Sequence, residues 1–534
     1  MRLSRSFVNW IVAVTIGGSL ATYQMAPQWH AWWGLMDDAE FLGWAPPGQS
    51  LDARGYLPTL GRTEIGAIGR TTRFRPVYYT LRVGERVLWP PSPAWYYAAR
   101  TAMYAVALSL TAWALFTALG RIVGVGVFAL ASTAWYWRDI WAHGGPAEQY
   151  AFVGTSLLAV AGALAWRDEH PSHARGIALL ASAGTLLAMG SKENFLILLI
   201  PCALVLLRLA RAPEHRWFLA LLLLLVAASA MGIVAALFPG LRSAGADMYG
   251  HSIGAGARFA WLSAGTGWLF PAAIVLIAAA LPIASWRALP SGRRTPEFRL
   301  RHDVLARRLH VHAGLLLLLV ASQLTFYAPK WPTFGGRYDF PGLLVYPLGF
   351  AALTVYLLHW LRLAGAGAHA TRRAAIGASL VAVAAASRHG MLPVRDAAEG
   401  NTRYTQALHA ELTRVVREAS RPDIVTPIIV EWRTGDEVEP AMSVMRLLYE
   451  SGSSGPFFLR PAAGAPTHVP LAEFARTGAT ERAWRGVTLQ PQDALRAALT
   501  ASQGAALVVT LDGYAVPQAA VVVPDRQTGK TISR

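Results

Sequence analysis

The chain has 534 residues, 54% of them apolar and only 15% charged, with a mean hydropathy of +0.35. Soluble domains carry roughly a quarter charged residues, so this composition excludes an ordinary water-soluble enzyme. The net charge of +17 is no nucleic-acid signature, because residues 388–534 hold 16 basic against 15 acidic residues while residues 1–387 hold 32 against 16, which places the excess in the apolar part, where basic flanks of membrane helices account for it.

A helix crosses about 30 Å of hydrocarbon with roughly 20 apolar residues. In chain order, segments of that kind fall near 7–26, 95–119, 122–138, 149–166, 176–190, 194–210, 217–238, 259–284, 312–328, 340–361 and 374–387, eleven in all. The first follows Arg2 and Arg5, shows no small-x-small cleavage site and reads as a retained anchor. Cys202, the single cysteine, lies in an apolar run and excludes an intrachain disulfide or a cysteine-based zinc site.

Arginine and lysine set the sidedness. With a cytoplasmic N-terminus, the inner loops hold 18 basic residues and the short outer loops six, and cationic loops resist translocation. The long first loop, about 27–94, and everything after about 388 then face outward. Most acidic residues of the membrane part, Asp37, Asp38, Glu40, Asp139, Glu148, Glu193, Asp247 and Asp339 among them, gather on that outer side. A reaction or transport site on that face needs such a gathering.

From about residue 400 the texture changes. Helical spacing over Thr402–Ala419, a β-branched run at Ile424–Trp432, a helix at Pro440–Glu450, a strand at Phe457–Arg460, a helix at Leu495–Ala501 and strands at Ala505–Leu511 and Ala519–Val523 around Asp512-Gly513 predict a small α/β unit. The expected fold class is therefore mainly α. It is a polytopic transmembrane bundle of about eleven spans over 1–387, followed by a small extracytoplasmic α/β domain over 388–534 that binds an acceptor or a partner. The chain is expected in the plasma (inner) membrane.

Four short motifs carry chemistry. Asp37 and Asp38 stand about ten residues after the first span, among aromatics. Adjacent carboxylates at a half-dry surface repel, which suits general-base work or cation binding; a pair opening a helix is the structural alternative. Thr72-Arg73-Phe74-Arg75-Pro76 follows in the same loop, and guanidinium groups at headgroup depth bind phosphate oxygens bidentately or simply anchor to phospholipid. Gly190-Ser191-Lys192-Glu193-Asn194 and Gly336-Arg337-Tyr338-Asp339-Phe340-Pro341 put further cations at outer helix ends, where Lys192 with Glu193 and Arg337 with Asp339 also read as structural ion pairs. Asp139, His143 and Glu148 fall in the second outer loop, where by themselves they also read as solvated loop charges.

Taken in order and on one side, these motifs resemble the GT-C superfamily of membrane glycosyltransferases, and within it the protein O-mannosyltransferase-like enzymes that use polyprenyl-phosphate sugars. The resemblance covers roughly residues 1–360 in topology and does not extend to the tail, which lacks tetratricopeptide repeats. It implies a polyprenyl-phosphate sugar donor, an acceptor hydroxyl on a glycan or protein, and transfer with inversion on the outer face. Asp37 is then the base, with Asp38 orienting it, binding the acceptor or ligating a metal, while Asp139, His143, Glu148 and Glu193 form an acceptor or second acidic site. Arg73, Arg75, Lys192 and Arg337 meet the donor phosphate, with Lys330 and Arg258 in reserve. Some members of the superfamily hold a divalent cation through carboxylates of the two outer loops and others need none, and the sequence does not choose between them. Three rivals share parts of the pattern: a flippase or transporter of a lipid-linked anionic glycan, an O-antigen ligase or polymerase, and a non-catalytic scaffold. The flippase should show broken helix pairs with mid-membrane charges, and the ligase a large late outer loop rather than a large first one.

Overall fold

The computed structural model describes residues 5–35, 37–66, 68, 73–167, 173–211, 213–243, 269–289, 295–327, 336–388, 390, 392–419, 426–453, 456–465, 490, 492–511, 516–524 and 531–533. Its first long helix, α1 (Arg5–Met25), packs along α5 (Pro93–Ser132). Asn9 near the start of α1 accepts a hydrogen bond from Arg121, and Trp29 just beyond its end donates to Thr101, so the two helices run antiparallel. Then come α7 (Glu148–Arg167), α8 (Ala174–Ser191), α9 (Leu199–Leu209) and α10 (Arg216–Ser243). Their small and aliphatic faces close one continuous core with α1 and α5, floored by Trp137, Trp141, Phe152, Phe195 and Phe340. Four more helices complete the apolar part: α11 (Leu269–Arg287), α12 (Pro296–Tyr327), α13 (Val345–Leu363) and α14 (Ala368–Ser387).

Among the described residues, seven helices are long and apolar enough to cross a membrane: α1, α5, α7, α8, α10, α12 and α13. The expected count of about eleven is not reached, for local reasons. Segments 95–119 and 122–138 merge into α5, which breaks only at Gly120 (φ 74°, ψ 161°). Segment 194–210 begins with a 3-10 turn, Glu193–Leu198, leaving α9 with 11 residues. The described apolar stretch of α11, Ala272–Arg287, is short, and α14, which carries Arg372 and Arg373, falls outside the seven.

The first long loop is folded. It contains α2 (Asp37–Leu42), α3 (Tyr56–Leu60) and α4 (Pro76–Leu88). Proline stands at the start of both α4 and α5, where its missing N–H costs no helical hydrogen bond. The loop between α5 and α7 forms the single turn α6 (Trp137–Trp141).

Beyond the bundle, α15 (Pro393–Ala419) is strapped to the first loop. The Val394 amide donates to Gln24, Thr402 to the Pro27 carbonyl, Gln406 to the His30 carbonyl, and the Trp32 amide to Thr405. It leads to α16 (Val438–Glu450), α17 (Leu495–Ala501) and a sheet ordered β2-β1-β3-β4-β5. Strands β1 (Ile428–Trp432), β2 (Phe457–Pro461) and β3 (Ala506–Thr510) are parallel, while β4 (Gln518–Pro524) and β5 (Thr531–Ser533) extend the sheet antiparallel. The α/β expectation for the tail agrees with this. Its core is not private, however: Trp33, Phe41, Leu42 and Tyr96 of the first loop and α5 pack in one cluster with Trp432, Met442, Leu448 and Leu507.

Candidate active site

The acidic pair sits where the first loop meets the second. Asp37 opens α2, and its side chain lies outside the described residues. Asp38 is buried at 1% exposure. Its Oδ2 accepts from the Tyr97 hydroxyl (2.7 Å) and the Gly34 amide (3.2 Å), and its Oδ1 accepts from the Gly144 amide (2.6 Å). Both glycines are there for space, since a Cβ would stand 3.1 Å from Oδ2 at Gly34 and 3.0 Å from Oδ1 at Gly144. Tyr97 in turn accepts from Asn401 of α15 (3.2 Å). A carboxylate so engaged clamps the two loops together.

The second loop, between α5 and α7, is the hub. Besides Asp38, the Arg100 guanidinium holds the Gly144 carbonyl (2.9 Å), the Tyr78 hydroxyl holds the Gly145 carbonyl (2.7 Å), and Gln149 spans the carbonyls of Ile140 and His143. The three residues singled out in this loop fall among the later motifs. Glu148, buried, lies 2.8 Å from the Lys192 ammonium, so Lys192 pairs across helices with Glu148. Asp139 accepts from the Arg337 amide (2.8 Å) and stands 3.6 Å from the His143 ring. The Arg337 guanidinium is close enough to act electrostatically on Glu148, and both Arg337 and Lys192 face the Tyr338 ring, at 5.5 and 5.3 Å. Glu193 and Asp339 are buried beside them. The structure thus brings together Asp139, His143, Glu148, Lys192 and Arg337 from three separate stretches. Among the described residues, Glu148 Oε2, Ser191 Oγ, Glu193 Oε2 and Asn194 Oδ1 are buried with no hydrogen-bond partner.

The arginines of the first loop divide. Arg75 is buried against Glu64, donating from Nε to Oε2 (3.0 Å) and from its terminal nitrogen to Oε1, and it also reaches the Tyr79 hydroxyl (3.3 Å). Burial alone would push the Glu64 carboxyl up. The charge and hydrogen bonds of Arg75, joined by Arg73 and Lys192, outweigh it and hold the group below its ordinary 4.5. Arg75 is therefore committed to a carboxylate, whereas Arg73 is half-buried beside the pair. Sequence reading missed Glu64, which is eleven residues from its partner. It also missed a buried network on α4 and α5: Glu85 receives Arg82 (3.0 Å), Arg100 (2.8 Å to Oε1) and the Tyr150 hydroxyl. Burial raises the Glu85 carboxyl, the two arginines lower it further, and it too is held low. The readable signal was the spacing of Arg75, Tyr79, Arg82 and Arg86, which falls on one helical face.

An apolar groove of about 570 Å³ runs beside this cluster, lined by Phe74, Val77, Leu186, Met189, Gly190 and Ile233 among others. Gly190, one of its lining residues, is two residues from Lys192. Lys330, Arg258, His251 and Asp247 lie outside the described residues. Among the described residues, no three His, Cys, Asp or Glu side chains gather so as to hold a metal ion.

No family model matches the chain, and no curated protein matches it. Among solved structures it is similar to the crystal structure of ArnT from Cupriavidus metallidurans bound to undecaprenyl phosphate, at 14% identity and a TM-score of 0.44, over 94% of this chain and 92% of that one. It is likewise similar to ArnT from the same organism in the apo state, at 13% identity and a TM-score of 0.42, over the same shares of both chains. At that identity and score, no residue of one chain can be assigned to a residue of the other.

Proposed function

We propose that this chain is a GT-C-type membrane glycosyltransferase that moves a sugar from a polyprenyl phosphate to an acceptor hydroxyl on the outer membrane face. The observation that carries the reading is an amphipathic juxtaposition. An apolar groove is lined by Gly190, two residues from Lys192, whose ammonium pairs with the buried carboxylate of Glu148 within electrostatic reach of Arg337. A lipid phosphate needs those two environments side by side: hydrocarbon for the chain and fixed cations for the head.

In this mechanism the Asp37 carboxylate takes the proton of the acceptor hydroxyl as its oxygen attacks the anomeric carbon. The bond from that carbon to the phosphate oxygen breaks, the configuration inverts, and the electron pair leaves on the polyprenyl phosphate. Lys192, Arg337 and Arg73 meet the charge that develops there. Asp38, locked to Tyr97, Gly34 and Gly144, fixes the start of α2 against the second loop. Arg75 supports the wall through Glu64.

Mass spectrometry of envelope glycans, glycoproteins and lipid-linked sugars tests the reading in cells lacking the gene. The expected result is loss of one sugar from one acceptor, with its polyprenyl-phosphate form accumulating. An unchanged profile in all three fractions contradicts the proposal.

A further inference from the structure

At the other end of α5 a second site is built from different chemistry. Arg121 lies 24 residues after Tyr97, so about 35 Å of helix separates it from the Asp38 clamp, enough to reach the opposite membrane face. There a cleft of about 490 Å³ opens between the Gly120 break, the end of α13 and the start of α14. Three guanidinium groups line it, one from each element: Arg121, Arg362 and Arg372. Its remaining wall is largely apolar, with Leu119, Ile122, Val123 and Leu358.

No acidic residue lines the cleft. Arg121 spends its Nε on Asn9, and no described carboxylate pairs with any of the three arginines. Like charges from separate helices repel unless an anion lies between them, and arginine is the side chain whose fork matches phosphate. The Gly120 break adjoins Arg121 in the lining of the cleft. Its backbone angles lie in a region that only glycine occupies readily, so the opening is held by the fold. The start of α14 has no side-chain cap, and Ala368 and Thr371 of its first turn line the cleft.

We infer that this cleft binds the phosphate of an anionic glycerophospholipid, with Arg121, Arg362 and Arg372 around the headgroup and an acyl chain along Leu119, Ile122 and Leu358. Basic pockets between membrane helices recognise such headgroups. Charge complementarity selects an anionic lipid over the zwitterionic ones, and the apolar wall selects a lipid over a free anion. The site stands on the far face from the proposed transfer and does not depend on it.

Native mass spectrometry of the detergent-purified full chain tests this, with phosphatidylglycerol, phosphatidylcholine, undecaprenyl phosphate and inorganic phosphate as probes. The wild type should retain phosphatidylglycerol at least tenfold over phosphatidylcholine, and millimolar phosphate should not displace it. The pair R362Q/R372Q should abolish the preference, while R307Q/R308Q, which removes two exposed arginines elsewhere on α12, should keep it. All three residues of the cleft's cationic rim are exposed, so the variant is expected to elute as a single species and to melt near wild type without lipid. Retention unchanged in R362Q/R372Q, displacement by free phosphate, or retention of undecaprenyl phosphate alone each overturns the inference.

Discussion

Lys192 shows how a motif residue and its structural partner are separated in sequence. Lys192 and Glu193 are neighbours in the chain, but the ammonium reaches Glu148, 44 positions earlier and buried. Breaking a buried pair from one side strands a charge, at about 3–5 kcal/mol. Lys192→Met should therefore lower the melting temperature sharply and abolish polyprenyl-phosphate binding. Adding Glu148→Gln should restore most of the melting temperature and none of the binding; recovery of both would make the pair purely structural. Glu64 permits a test by pH. Its folded pKa is depressed, so the stability it contributes is complete above the ordinary 4.5 and is lost as pH falls through the lower folded value. Glu64→Gln should be less stable than wild type at neutral pH, with the gap between their melting temperatures closing below about pH 4.5. A gap constant across that range would mean that Glu64 is not held by Arg75.

Elements were easier to read than their contacts. All eleven apolar segments contain helix, because a 20-residue hydrocarbon run has few alternatives in a bilayer. The number of spans was not legible, since one glycine decides whether α5 is two crossings or one broken helix. Gly120→Ala should cost about 1–3 kcal/mol, because no Cβ contact opposes it but its backbone angles do. Thermal unfolding of the purified variant measures this, and an unchanged midpoint would show that the break relaxes freely. Gly190 is a packing case. A Cβ there would come within 2.9 Å of Val77 Cβ and closer to its methyl, wedging α8 from α4 beside the groove. Gly190→Ala should reduce transfer, and Val77→Ala in the same chain should restore it, because the two changes act on one contact. The helix α4 itself was hidden within a segment read as loop. Its apolar residues are too few to signal a span, and its buried arginines look solvated until Glu85 and Phe41 are seen beneath them.

At the scale of the whole molecule, the tail reads as separate in sequence and is joined in space. Strands and helices after residue 426 follow the period of their side chains closely. Nothing local could reveal that Trp432 and Met442 share a core with Phe41 and Tyr96, or that Arg446 donates to the Ala45 carbonyl (2.9 Å). A chain ended at residue 392 would expose that half of the core and lose the Asn401 bond to Tyr97. It should aggregate in detergent, whereas monodisperse recovery would make the tail an independent unit. The tail thus helps to hold the acidic pair, and the account rests finally on what that pair does. The direct measurement is complementation of cells lacking the gene with Asp37→Asn, reading the sugar on the acceptor by mass spectrometry and the protein level in the membrane by immunoblot. The account predicts normal membrane levels with the sugar missing; full restoration of the sugar would contradict it.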